Sequence, residues 1–509
     1  MDTKLRLGEF FEKTYDVDSE DKPTFRLLIG GKWMKAASGR VLDVHTPING
    51  DAIARVQSGD SRDVEAAVEE AYVARAKIRD MPAIQRITIF QRTREILLEY
   101  IEDFSDAILL EAGKPLPNAE SEVRAAADRM EFAMQEARKI FGEYLPGDWA
   151  EDAAGKIGMV IREPLGVVAA ISPFNYPLFA ATAKAVPALL AGNTVVAKAA
   201  SDTPISLLML GRAFEEAGVP HGVFNVVTGK GGEIGDALVS NPRVRGITFT
   251  GSTEVGKHIA TLAGVRKQHL ELGGKGMAVV LDDADIKLAA TKCVQGSLSN
   301  AGQRCDAISA ILVVNSVAEE FTKLVLADVN GWKLGDPRET TTKVGPVINE
   351  AAANRIQALV DDAVERGAKL LIGGVHTGCY YQPTVIDQVP PEANIAKEET
   401  FGPVVTIIRV ADEDEALKIA NSTRFGLDSC VFSSSFYRIW KIAKRLNVGG
   451  VAVNDFPRHG VGFFPFGGWK DSGVGREGIG YSIEEMTSLK TITFNLEPAK
   501  LGKTWQAFS

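Results

Sequence analysis

Cysteine is scarce: four occur in 509 residues. That is too few for a disulfide framework, so a functional cysteine in this chain is a free thiol. Long apolar runs are also missing. No stretch of about 18 uninterrupted apolar residues occurs. The least polar region, 166–200, is broken by Pro173, Asn175, Pro177, Lys184 and Pro187, as in a buried core with loops rather than a membrane span. The N-terminus mixes charge with short apolar pairs and lacks the apolar core of a secretion signal, so the expected location is the cytoplasm. No long run of Lys and Arg appears. With a net charge of −9 and a pI near 5.5, neither a nucleic acid nor a membrane is an expected partner. No Cys-x-x-Cys pair or Cys/His cluster has metal-ligand spacing, so no metal is expected.

What is present is the composition of an ordinary globular protein, 45% hydrophobic and 24% charged, long enough for about three domains or two large ones. Roughly the first 160 residues read as mostly helical, with helices after Ser61, from Ile84 to Glu111 and from Ser121 to Phe141. From Gly166 the pattern changes. Apolar strands at 166–172, 193–198, 222–227 and 245–250 alternate with helical segments at 177–190, 203–217, from about 232 and from about 253, the signature of βαβ units around a parallel sheet. A second alternation after Gly273 has strands near 277–281, 310–314, 404–410 and 450–454. Lys490–Asn495 reads as an isolated strand without a local partner, a candidate for pairing on a neighbouring subunit.

Among the cysteines, Cys293, Cys379 and Cys430 read as small buried hydrophobes or loop residues. Cys305 sits among polar residues in Asn-Ala-Gly-Gln-Arg-Cys-Asp-Ala with Arg304 adjacent, and a nearby cation favours the thiolate nucleophile. The run Gly229–Gly235 follows a strand and opens a helix, but its last glycine falls one position late for the dinucleotide fingerprint. Gly473, Gly475 and Gly478 give the cleaner G-x-G-x-x-G without the strand–turn–helix setting, and read as a decoy. Ser252 or Thr253 can cap a helix whose free N–H groups suit a phosphate; a plain capped helix fits equally well. Glu271, beside glycines, and Asn175, in Pro-Phe-Asn-Tyr-Pro, read singly as turn residues.

Taken together these segments resemble the aldehyde dehydrogenase superfamily. The matches are Pro173–Pro177, Lys198 after a strand, Phe249–Gly256, Glu271–Lys275, Gly302–Cys305, Glu398–Pro403 and Pro465–Gly473, in order across essentially the whole chain. The resemblance implies an α/β protein in three parts. A Rossmann-type cofactor domain spans 1–141 and 162–270, an α/β catalytic domain 271–480, and a small β oligomerisation arm 142–161 and 481–509. A dimer or tetramer is the implied assembly. It also implies Cys305 as nucleophile, Asn175 with the cysteine N–H as oxyanion donors, and Glu271 as general base for thioester hydrolysis. The implied cofactor residues are Lys198, Ser201, Gly231, Gly235, Thr250, Gly251, Ser252, Glu399 and Phe401. Relatives that prefer NAD often carry Glu where this chain has Ser201, so NADP is expected, with NAD also accepted.

For the substrate, Arg304 precedes the nucleophile, Tyr176 follows Asn175, and Arg458 lies on the loop that usually shapes the entrance. Two arginines and a phenol suit a phosphate. This resembles non-phosphorylating glyceraldehyde-3-phosphate dehydrogenases, particularly the archaeal kind. The expected reaction is therefore oxidation of a small phosphorylated aldehyde. A non-phosphorylated aldehyde (glyceraldehyde, lactaldehyde or succinate semialdehyde) is the alternative, and Glu271 argues against a CoA-acylating enzyme.

Overall fold

The computed structural model describes residues 3–17, 22–459, 464–478 and 480–496. Two large sheets organise it. The first has eight strands. Its five central strands are parallel, in the spatial order Lys267–Glu271, Val244–Thr250, Val167–Ile171, Thr194–Lys198 and Phe224–Val226. The last four are the apolar runs expected from the sequence, with helices over both faces. The first, Lys-Gln-His-Leu-Glu, is polar, was not expected, and lies next to the edge strand Gly473–Val474. Alternation sorts each strand between two cores: Val168 and Ala170 pack on one face, Val167, Ala169 and Ile171 on the other. The second sheet has seven strands, among them Gly276–Val280, Ile308–Val314, Val404–Val410 and Asp428–Phe432, and divides its side chains in the same way.

Chain order sets the place of the cleft. From Val167–Ile171 the first sheet grows one way through Thr194–Lys198 and Phe224–Val226. It then reverses, and Val244–Thr250 lands on the other side of the starting strand. Two diverging connections leave a crevice outside the carboxyl ends of these strands, where doubly wound sheets bind ligands.

Three expectations are corrected. The opening residues are not mostly helical: Pro23–Phe25, Leu27–Ile29, Lys32–Met34, Val41–His45 and Ala52–Gln57 are strands. Most are three residues long, too short to show alternation, and Leu27–Ile29 pairs both with its neighbour Lys32–Met34 and with the distant Phe224–Val226. The helix expected over 84–111 is two helices, Ala83–Glu99 and Ile101–Ala112. Tyr100 between them leaves helical geometry, and its ring stacks on Phe10 with centroids 4.3 Å apart. The terminal strand has a partner in its own chain. Thr487–Asn495 pairs antiparallel with Lys156–Pro164, which also pairs with Glu143–Pro146, a three-stranded arm. Residues 497–509 of the expected arm lie outside the described residues.

The second of these helices ends where the sequence places its breaker. Gly113 adopts φ 68°, and a Cβ there would lie 2.7 Å from both Pro47 and Pro346. Gly113→Ala is expected to destabilise the protein by about 1–3 kcal/mol, read as a lower Tm with unchanged far-UV circular dichroism.

Candidate active site

The crevice opens into a cleft of about 1080 Å³ that runs from the first sheet to the second. Its wall includes Asn175, Tyr176, Lys198, Gly231, Gly235, Thr250, Gly251, Ser252, Glu271, Arg304, Cys305, Glu399, Phe401 and Arg458. One cleft thus gathers residues spread over most of the chain. Ser201 stands at its exposed rim, after Ala200, with its hydroxyl 3.4 Å from the Gly229 carbonyl.

Cys305 sits on a loop under strain. Asn300, Ala301 and Gly302 all have positive φ, near 55°, 54° and 71°. Gly302 is required there, because a Cβ would fall 2.0 Å from the Gly402 carbonyl oxygen. Gln303 pins the loop by accepting from Ile348 N at 2.8 Å. The Cys305 N–H meets no acceptor among the described residues, and so remains available.

Arg304 does not bring the thiol below its usual range. Its guanidinium turns away onto Asp306 at 3.0 Å and the Pro457 carbonyl at 2.9 Å. Burial pushes the Cys305 thiol well above its usual range, and the carboxylates of Asp306, Glu271 and Glu399 add to the shift. Arg304 still attracts the thiolate, but burial and these carboxylates outweigh it, so thiolate formation needs a base. Nη1 of Arg304 makes no hydrogen bond among the described residues, and Arg458, half exposed, is held by Asp455 at 2.7 Å. Arg124 is exposed on its helix and is not part of the cleft wall.

Asn175 is fixed from both ends. Its Nδ2 donates to Gln303 O at 2.9 Å, leaving a second N–H for a ligand. Its backbone carbonyl accepts from Lys114 Nζ at 2.8 Å. Lys114 is buried, pairs with buried Glu122, and sits 3.8 Å from the centre of the Tyr176 ring. Glu122 also accepts from the N–H groups of Leu178 and Phe179, opening the helix Pro177–Leu190. The sequence reading missed this pair, because Gly113-Lys114-Pro115 reads as punctuation only.

Other buried groups line or back the cleft. Burial pushes Glu399 up to about 7, and its Oε1 accepts from Gly274 N at 3.1 Å. Phe401, with φ 49°, meets Phe174 edge-on at 5.7 Å. Burial brings Lys198 down to about 8. Ser252 caps the helix Thr253–Ala263, accepting from Val255 N at 3.4 Å. Glu477 lies between Lys184 at 3.0 Å and His459 at 2.9 Å. It belongs to the glycine run read as a decoy, and neither it nor His269 was foreseen. A polar residue at 269, two before Glu271 in a buried strand, was the available signal. Among the described residues no group of three His, Cys, Asp or Glu side chains could hold a metal ion, and no helix is long and apolar enough to cross a membrane.

A doubly wound sheet whose switch-point cleft holds a cysteine, an amide and a buried carboxylate is the architecture of a ligand-binding α/β enzyme. The chain belongs to the aldehyde dehydrogenase family, whose description matches residues 33–492. It is 38% identical to the NADP-dependent glyceraldehyde-3-phosphate dehydrogenase of Streptococcus equinus, over 93% of this chain and 99% of that one. It is also 38% identical to the NADP(+) succinate-semialdehyde dehydrogenase GabD of Escherichia coli K12, over 92% and 97%. The crystal structure of NADP-dependent glyceraldehyde-3-phosphate dehydrogenase from Bacillus halodurans, complexed with NADP, superposes with a TM-score of 0.91 at 39% identity, covering 93% and 99%.

The buried Lys114–Glu122 pair makes a direct prediction. Glu122→Ala strands a buried cation and should cost about 3–5 kcal/mol. The check is a lowered Tm together with a kcat that falls as the Asn175 loop loosens.

Proposed function

We propose that the enzyme oxidises glyceraldehyde 3-phosphate to 3-phosphoglycerate with NADP, without phosphorylation. The observation that carries the chemistry is the pairing of two unspent donors, the second Asn175 N–H and the Cys305 N–H, beside one thiol. The Cys305 thiol gives its proton to water in the cleft and adds as the thiolate to the aldehyde carbon, and these donors meet the oxyanion as it forms. Bound NADP supplies the acceptor for the hydride that leaves this carbon. Glu271 then takes a proton from the water that cleaves the thioester, releasing the acid and restoring the thiol.

The cleft suits such a cofactor. A Cβ built on Gly231, Gly232 or Gly235 would meet nothing within 4 Å, so the protein's own packing does not demand glycine there. The bare backbone and the capped start of Thr253–Ala263 fit a pyrophosphate. Lys198 and Ser201 would face the adenosine ribose, where a Glu in place of Ser201 would repel a 2′-phosphate. Glu399 and Phe401 would hold the nicotinamide end. On this reading the first sheet is the cofactor domain and the second the catalytic domain.

The phosphate reading rests on Tyr176, Arg304 with its unspent Nη1, and Arg458 at one end of the cleft. Asp306 offsets part of that charge, which favours a weaker anion such as a carboxylate as the second reading. The arm exposes Tyr144, Trp149, Leu489, Ile492 and Phe494, apolar surface that supports a homo-oligomer.

Two measurements test the proposal. Glu271→Gln should keep the pre-steady-state NADPH burst while steady turnover falls by about 10²–10⁴; loss of the burst with normal acyl-enzyme hydrolysis contradicts the role given to Glu271. Values of kcat/KM across glyceraldehyde 3-phosphate, glyceraldehyde and succinate semialdehyde, with NADP+ and NAD+, should favour the phosphate ester and NADP+. Equal values for the first two aldehydes remove the phosphate assignment, and a clear preference for NAD+ removes the cofactor assignment.

A further inference from the structure

We propose that His269 is a positioning residue for the hydrolytic base: through a single fixed tautomer it ties one oxygen of Glu271 and leaves the other free for the deacylating water. This rests on the reading of Glu271 as that base.

The geometry comes from strand register. His269 and Glu271 are two residues apart on one strand, so both side chains leave on the same face. Thr248 is the residue opposite His269 on the neighbouring parallel strand. The imidazole, only 3% exposed, bridges the two: Nδ1 lies 3.1 Å from Thr248 Oγ1 and Nε2 lies 3.1 Å from Glu271 Oε1. Burial pushes the ring down to about 3, so it is neutral and carries one proton. The Thr248 hydroxyl makes no other hydrogen bond among the described residues. The arrangement that satisfies every group has Thr248 O–H donating to Nδ1 and Nε2–H donating to the Glu271 carboxylate. Glu271 Oε2 is buried without a partner, in a residue that lines the cleft with Cys305. One oxygen is anchored and the other is left for chemistry.

The glycine run beyond the second sheet gains a purpose. Gly473–Val474 pairs antiparallel with the strand that carries Glu271. A Cβ on Gly475, at φ 88°, would come 2.9 Å from His269 Cδ2. A Cβ on Gly467 would come 2.9 Å from Glu271 Oε1, and one on Gly473 would come 2.2 Å from the Leu270 carbonyl oxygen. These glycines make room for the histidine–glutamate pair. The spacing that resembles a nucleotide loop is the back wall of the base.

Glu271 is faced by Glu477 and Arg476 from this segment, Lys184 from the helix Pro177–Leu190, and Asp428 from the second sheet. Burial first, and then the Glu477 charge, hold its carboxyl well above the usual range, while Lys184 and Arg476 oppose them. The Nε2–H bond favours the ionised form. Hydrolysis needs that form, so it rises with pH through the raised pKa, and losing the donor moves the rise to higher pH.

The test compares His269→Leu, His269→Gln and Glu271→Gln with the wild type, using glyceraldehyde 3-phosphate or, if that is not turned over, the best aldehyde of the panel. Gln keeps an amide N–H near the Nε2 position; Leu keeps only bulk. The burst and KM of His269→Leu should stay within about twofold of wild type while kcat falls about 10–100-fold. Its kcat–pH midpoint should rise by about half a unit or more, and His269→Gln should recover most of both changes. Wild-type kcat and midpoint in His269→Leu overturn the proposal, as does an equal loss of burst and turnover, or a Gln variant no better than Leu. Should the Leu variant not fold, Thr248→Val removes the hydroxyl that fixes the tautomer, and an unchanged kcat–pH profile there overturns it as well. Slow deacylation in Glu271→Gln beside a normal His269→Leu sinks this inference alone. Normal deacylation in Glu271→Gln sinks the base reading and this inference together.

Discussion

Lys114 is a cation with almost no contact with water, and the geometry around Asn175 depends on how its charge is met. Glu122 meets it, and the same carboxylate takes the first N–H groups of the helix that follows Asn175. The remaining reach of the ammonium goes to the Asn175 carbonyl and the Tyr176 ring. A single ion pair therefore fixes the end of one helix, the start of another and the turn between sheet and cleft. An apolar pair of similar volume would pack as well, but it could not hold a backbone carbonyl at one distance and an aromatic ring at another.

The cysteine loop is held by a different means, close backbone approach. Gly302 lies against Gly402, and Gly274 would place a Cβ 2.3 Å from the Cys305 carbonyl oxygen. Contacts this tight leave the loop no second arrangement, which is how three successive residues persist at positive φ. The outcome is a thiol fixed in place yet kept protonated by burial and by surrounding carboxylates. Position and reactivity are separate problems here, and the second belongs to whatever enters the cleft.

How much was legible in the sequence follows from where each signal resides. Among the central strands, Lys267–Glu271, Thr384–Asp387 and Asp428–Phe432 were not read, but many others were readable because strands buried on both faces are apolar runs, a local property. The helix Pro177–Leu190 was readable to the residue for the same reason. The short strands before residue 60 were not: most are three residues long, and Leu27–Ile29, which pairs locally with Lys32–Met34, reaches the first sheet only through residues near 225. The motif residues Cys305, Glu271 and Asn175 do line one cleft. What escaped was pairing: Lys114 with Glu122, Arg304 with Asp306, His269 with Thr248. Sequence shows that a charge is present but not which partner it meets: Arg304 pairs with Asp306, and the Cys305 thiol is raised rather than lowered.

The arm and the edge of the first sheet share a property with a bearing on synthesis. Lys156–Pro164 waits for Thr487–Asn495, and the strand carrying Glu271 waits for Gly473–Val474. Arg162 and Thr487, which meet in the finished arm, are 325 residues apart. At about 5–20 residues per second, the emerging chain carries that open edge for roughly 15–65 s. Throughout that interval a β-strand edge is open to pairing with another strand, including the same strand of another nascent chain. The hazard therefore grows with the time taken to make the residues between the two partners, not with their number of contacts in the finished fold.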